Sequence, residues 1–298
     1  MKKPSRLDTR NARTAYSFLL PCVLTILIVT IVPLVLAINI SFHDVNLMTG
    51  NGAFVPNRGR NYGNLFKDAR FYNSLLITAF YVLGAVSVET VLSVFISLLL
   101  NRRFRGKNLV RTLIIVPMFI TPVVVALSWR MFYDPTSGIV NWLLGSLGLG
   151  NRHDWLGSAA LALPAILIAD VWEWTPFMVL IILAGLESVP MEFYEAAYVD
   201  GASELQAIRH ISLPLVVSAI VVAAVLRTID ALKAFDLIYV MTRGGPGLAT
   251  ETANMYAYTI GFQYFRIGYA TTAALVFTFI VTFGASALIN RLLTVKHS

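Results

Sequence analysis

Six long apolar runs constrain this chain more than any other feature. The first extends from Tyr16 to Ile40 and contains no Asp, Glu, Lys or Arg. Five more occupy roughly 73–100, 110–133, 159–186, 213–241 and 269–292. About 20 apolar residues suffice for a helix to cross the hydrocarbon core of a bilayer. No water is available there, so the backbone must satisfy its own hydrogen bonds, and a continuous apolar run does so as an α-helix. The fold class expected is therefore an all-α polytopic membrane protein with six transmembrane helices. Composition agrees: only 13% of residues are charged, against about 25% in soluble domains.

Orientation follows from the basic residues. The first run exceeds the 7–15 apolar residues of a signal peptide, so residues 15–41 are expected to form an uncleaved first transmembrane helix. It is preceded by a basic tail, 1–14, with Lys2, Lys3, Arg6, Arg10 and Arg13. A second basic group, Arg102, Arg103, Arg105, Lys107 and Arg111, falls on the same side after two crossings. With Arg209, Arg291 and Lys296, the tail side holds thirteen cations against seven in the opposite loops. Positive charge is retained in the cytoplasm, so both termini are expected there, in a multi-pass membrane protein.

Other classes find little support. The net charge of +7 sits at the ends of apolar runs, which points to membrane lipids and not to nucleic acid as its partner. The single cysteine, Cys22, allows no internal disulfide. His43, His153, His210 and His297 lack metal-ligand spacing. No nucleophile–base pairing suggests an enzyme.

Between the fourth and fifth runs lies a polar block, EAAYVDGASELQAIRHISLP, from Glu195 to Pro214. Pro190 suits a helix start, and Glu192 and Glu195 lie toward the positive end of that helix's dipole. Gly201 after Asp200 is expected to stop it. Ser203-Glu204-Leu205-Gln206 fits a capping box that starts a second helix, and Ser212 and Pro214 are expected to open the next span. The block thus reads as two short cytoplasmic helices joined at a glycine.

The spacing Glu195-Ala196-Ala197, three residues, Gly201, nine residues, Ile211, one residue, Leu213-Pro214 resembles the EAA signature of ABC-importer permeases. The stretches AGLESVPMEFYEAAYVDGAS and FDLIYVMTRGGP resemble the carbohydrate branch in particular. This resemblance implies a type I ABC importer permease fold in a bacterial cytoplasmic (inner) membrane, with a core over 70–292 and a coupling helix at 190–211. It implies that Glu195, Ala196, Ala197, Asp200, Gly201, Ile211, Leu213 and Pro214 engage a cytoplasmic ATPase. The implied partners are a second homologous permease, two ATP-binding cassette subunits, an extracytoplasmic solute-binding protein and a carbohydrate. The chain lacks a G-x-x-x-x-G-K-[ST] loop, its nearest fragment being Gly106-Lys107-Asn108. It is therefore expected to bind no cofactor, ATP and Mg belonging to the partner subunits. The alternatives are a non-carbohydrate solute within the same class, or an ion-coupled secondary transporter, which needs no such block.

Charges within membrane runs are costly and mark function or pairing. Glu89, Asp170 and Glu173, and the series Arg227, Asp230, Lys233 and Asp236, all lie in apolar runs. Glu89, Glu173 and Arg227/Asp230 are expected at similar central depth, where transporters bind solute. Trp172 and Trp174 flank Glu173 and supply aromatic faces. A structural reading stands beside this one: the series neutralises itself on one helix flank, and Glu89 pairs with Arg227 to tie two spans. Pro117, Pro122, Pro164 and Pro176 are expected to kink their helices.

Overall fold

The computed structural model describes residues 6–48, 54–102, 104–150 and 153–294, with no side chains for 6–13, 15 and 285–294. Lys2, Lys3, Arg103, Arg152, Lys296 and His297 lie outside the described residues, as do the side chains of Arg6, Arg10, Arg13 and Arg291.

Two compact units emerge. One comprises Met1–Asp68 with Ala257–Thr278. Its first helix, α1 (Arg6–Ser41), carries Pro21 and Pro33. Its apolar part, Tyr16–Ser41, is exposed along its most hydrophobic stretch, as a lipid-facing span is. A two-residue antiparallel ladder, β1 (His43–Asp44) with β2 (Val55–Pro56), follows, then α2 (Arg60–Leu65). Asn61 Nδ2 donates to Ser41 O at 3.1 Å and the hydroxyls of Ser41 and Tyr62 meet at 2.8 Å, so the end of α1 is tied to α2. Thr272 Oγ1 also reaches Ser41 O at 3.2 Å.

The other unit comprises Ala69–Tyr256 with Phe279–Ser298. It contains α3 (Ala69–Asn101), α4 (Lys107–Ile115), α5 (Pro122–Phe132), α6 (Ile139–Ser146) and α7 (Ala162–Glu187). These are followed by α8 (Met191–Val199), α9 (Glu204–Ala207), α10 (Leu213–Ala231) and α11 (Asp236–Met241). In chain order the last elements are α12 (Ala253–Tyr258) and α13 (Ile267–Thr294). Helix α7 is the centre of this unit: Ala165, Ile166, Ala169, Met178, Ile182 and Leu183 are all fully buried. Small residues let neighbouring backbones approach. At Gly185 a Cβ would stand 2.8 Å from the Cβ of Ala219 on α10, so a side chain there would force the pair apart. Ser93 Oγ and Ser97 Oγ of α3 donate to Thr175 O and Val179 O of α7 at 3.1 and 3.2 Å.

Among the described residues, five helices are long and apolar enough to cross a membrane, and a bent pair taken as one span brings them to six. That pair corrects the expectation of one helix over 110–133. Lys107–Phe119 and Pro122–Phe132 meet at 99°. Ile120 and Thr121 are extended, with ψ 137° and 142°. The cause is local: the residue before a proline is driven out of the helical region, and Pro122 then starts α5 at the position where its missing N–H costs nothing.

The fifth span also differs. Helix α10 ends at Ala231, and residues 232–235 separate it from α11. At its other end Ser212 does not start a helix. The chain runs from Glu204 to Ala231 without interruption, through a π-helical turn at Ile208–Ser212 in which Leu213 N–H bonds to Ile208 O. Pro214 has no N–H to donate, and a widened turn seats its ring.

Candidate functional site

The polar block forms as its local signals direct. Helix α8 ends at Val199 with Asp200 as its cap, and Gly201 takes the left-handed conformation, φ +84°. Gly201 N–H bonds to Tyr198 O at 3.1 Å and Ala202 N–H to Ala197 O at 2.9 Å, the paired bonds of a Schellman stop. Ser203 N–H then donates to Gln206 Oε1 at 2.7 Å and Gln206 N–H to Ser203 Oγ at 3.4 Å, which completes the capping box.

No residue of α8 is buried. Glu195, Ala196, Asp200 and Gly201 are exposed, whereas Ala197, Ile211 and Leu213 are half-buried and Pro214 is exposed. Phe193, Val199 and Leu205 are also largely exposed, Val199 at 87%. The block is braced rather than loose. Tyr194 and Ser212 join hydroxyls at 2.9 Å, Arg102 pairs with Glu204 at 2.8 Å, and Lys107 and Arg111 approach Glu187 at 3.6 and 3.5 Å. A cleft of about 790 Å³, with Asn101, Arg102, Tyr194, Tyr198 and Glu204 among its walls, opens beside α8.

The intramembrane charges assemble around Arg227. Its guanidinium is 1% exposed. Nε and Nη2 donate to Glu89 Oε2 and Oε1 at 2.8 and 3.0 Å. Nη2 also pairs with Asp170, and Nη1 lies 3.5 Å from Asp230 Oδ2. The Trp174 ring centroid is 5.3 Å from its Cζ. One cation thereby joins α3, α7 and α10, and a bidentate geometry suits arginine. The expected Glu89–Arg227 pairing is present. Asp170 was recognised in the sequence as an intramembrane charge, but its place as a second partner was not. Its i, i+3 spacing from Glu173 on one face of α7 was the available signal.

The expected self-neutralising series is corrected. Only Arg227 and Asp230 share α10; Lys233 stands in the break after it, and Asp236 begins α11. The break turns those side chains into a cavity of about 140 Å³ with Tyr81, Glu173, Trp174, Lys233, Phe235 and Asp236 among its walls. Glu173 is 1% exposed, and its Oε2 has no hydrogen-bond partner. Trp172 is not part of this cavity. It packs against Trp129 at 6.0 Å and faces a separate apolar groove of about 780 Å³ with Val88 and Leu113. Glu89 lies behind Arg227 and does not line the cavity. Among the described residues, no group of three or more His, Cys, Asp or Glu is arranged to hold a metal ion.

The profile of the family described as "Binding-protein-dependent transport system inner membrane component" matches residues 89–295. The chain is 38% identical over 269 residues to the trehalose/maltose transport system permease protein MalF of Thermococcus litoralis, covering 89% of this chain and 87% of that one. It is 34% identical over 296 residues to the trehalose transport system permease protein SugA of Mycobacterium tuberculosis, covering 95% and 93%. The crystal structure of a bacterial ABC transporter that imports the acidic polysaccharide alginate contains a chain of the same fold. The TM-score is 0.79 at 26% identity, over 96% of this chain and 99% of that one. The profile match, the permease relatives and the shared fold agree with the braced EAA block between α7 and α10, and the chain belongs to the inner-membrane components of binding-protein-dependent transport systems, the ABC importer permeases.

Proposed function

We propose that this chain is the permease subunit of an ATP-driven importer for a carbohydrate, driven through the block at Glu195–Pro214. The observation that carries this reading is the exposed helix α8, set between two membrane helices and joined to α9 by a Schellman stop and a capping box. A nine-residue helix with no buried residue, closed at its C-terminal end and tied to Ser212 through Tyr194, is a rigid handle for another protein. Ala196 and Ala197 leave room for close approach, and Glu195 offers a carboxylate to a basic partner group.

The assembly implied has a second, similar permease, two ATPase subunits that bind ATP and Mg, and an extracytoplasmic solute-binding protein. With both termini cytoplasmic, α8 and α9 face the ATPases. Closure of the ATPase pair displaces α8, and the helices rigidly joined to it follow as a body. The permease switches to outward-facing, receives solute, and returns on ATP hydrolysis. This chain forms and breaks no covalent bond. Carbohydrate as the solute is supported by relatives named for trehalose/maltose and trehalose and by a neighbour that imports alginate. Glu173, Trp174, Asp230, Lys233 and Asp236 are the residues placed to meet it. Arg227 with Glu89 holds the frame behind them, and Trp172 faces elsewhere.

The test is uptake of labelled sugar into proteoliposomes holding the assembled transporter. ATP-dependent uptake should be lost in Glu195→Lys and Gly201→Asp while both variants still insert and assemble. Full uptake without ATPase subunits, or wild-type uptake by both variants, refutes the reading.

A further inference from the structure

We propose that the cavity at Glu173 is a charge-selective subsite that accepts neutral and amino-bearing sugars and turns away uronates. This rests on the carbohydrate-permease reading above and adds the substrate class to it. The carboxylate of Glu173 is 1% exposed, lines the cavity, and leaves Oε2 without a partner. A buried acceptor without a donor is costly, and a hydroxyl or ammonium group entering the cavity supplies the donor. The volume, about 140 Å³, is below the roughly 300–1,000 Å³ of a complete ligand site. It therefore suits one end of a solute.

The walls decide the sign of that end. Arg227 is held by Glu89 and Asp170, two carboxylates against one guanidinium. It has no positive charge to spare for a ligand. Lys233 is the other cation among the lining residues, and it shares the lining with Asp230, Asp236 and Glu173. The excess remains negative even with Glu173 protonated. A carboxylate on the solute would be desolvated among like charges, which disfavours entry. A hydroxyl donates to Glu173, and an ammonium gains from the whole field. Phe235 and Trp174 supply apolar walls for the C–H faces of a ring. The alginate transporter, which carries an acidic polysaccharide, shares the fold, so the preference inferred here comes from these side chains and not from the architecture.

The experiment uses the assembled transporter in detergent without its binding protein, so that the binding protein's own specificity does not enter. Thermal-shift titrations are made with glucose, glucosamine and glucuronate. Glucose and glucosamine should stabilise the complex, and glucuronate should bind at least about tenfold more weakly than glucose. In the Glu173→Gln/Asp236→Asn variant that gap should close by about tenfold. Equal binding of glucuronate and glucose by the wild type overturns the proposal, as does an unchanged gap in the variant. If none of the three sugars binds while ATP hydrolysis is still stimulated by the binding protein, the subsite is wrong and the permease reading stands. If that stimulation is itself absent, the permease reading has failed.

Discussion

Replacing Arg227 with Met tests the ion cluster most directly. The arginine is the shared counter-charge of Glu89, which is fully buried, and Asp170, which is 3% exposed. Removing it leaves two carboxylates facing each other across α3 and α7 with no cation. Breaking a buried pair by deleting one partner costs about 3–5 kcal/mol. The two bonds to Glu89, at 2.8 and 3.0 Å, place this case at the upper end of that range. By contrast, Arg102–Glu204 is about half exposed at both residues, and its loss should cost no more than about 1 kcal/mol. The triple variant Arg227→Met/Glu89→Met/Asp170→Leu leaves only the half-exposed Asp230 without its cation and should recover most of the loss, since apolar replacement of a buried cluster is often neutral. The assay is reversible unfolding by SDS in mixed micelles. An Arg227→Met protein within about 1 kcal/mol of wild type would refute the reasoning. So would a triple variant as unstable as the single one.

Ser203→Ala should cost about 1 kcal/mol by removing the acceptor of the capping box, read as faster amide exchange at Gln206 with α7 unaffected. Gly201→Ala should cost about 1–2 kcal/mol, because φ +84° is strained for any residue with a Cβ; equal stability would deny the left-handed stop. Arg70→Ala should destabilise by about 2–3 kcal/mol through the loss of its two bonds, 2.8 and 2.6 Å, to the buried Glu251. Asp134 accepts hydrogen bonds from the N–H and hydroxyl groups of Thr136 and Ser137, which hold its carboxyl well below the usual aspartate range. Its folded pKa is depressed, so the contribution of this turn is complete above the unfolded value of about 4 and is lost only as pH falls through the lower folded one. A side-chain carboxyl resonance of Asp134 that titrates at about 4 would refute this.

The spans and the polar block were legible because their causes are local. A run without charge, a Ser-x-x-Gln box and a glycine after the last helical residue each act within a turn or two of chain. The 99° bend was legible only in part: Pro117 and Pro122 announce a disturbance, but the angle depends on what α5 packs against. Placing the end of α10 at Ala231 needed knowledge of the cavity, since residues 232–235 are apolar enough to continue a helix apart from Lys233. Asp170 escaped assignment for a related reason. Its bond to Arg227 spans 57 residues, and nothing near either residue in sequence distinguishes that partner from Glu173, three positions on. Glu173 and Trp172 are neighbours in sequence, yet consecutive helical positions lie about 100° apart around the axis, and the two serve different surroundings.

The uninterrupted passage from α9 through the π turn into α10 ties the length of this span to its rotation. From Glu204 to Arg227 is about 35 Å along a helix axis, so the ion cluster sits at the far end of a single shaft whose near end is α9. The π turn at Ile208–Ser212 stores one extra residue in that shaft. One residue corresponds to about 100° of rotation. Were the turn to tighten to α-helical spacing under load, α10 would twist as well as shift. The guanidinium of Arg227 would then swing out from between Glu89 and Asp170. In that geometry one residue taken up by the turn is a rotation of the whole of α10.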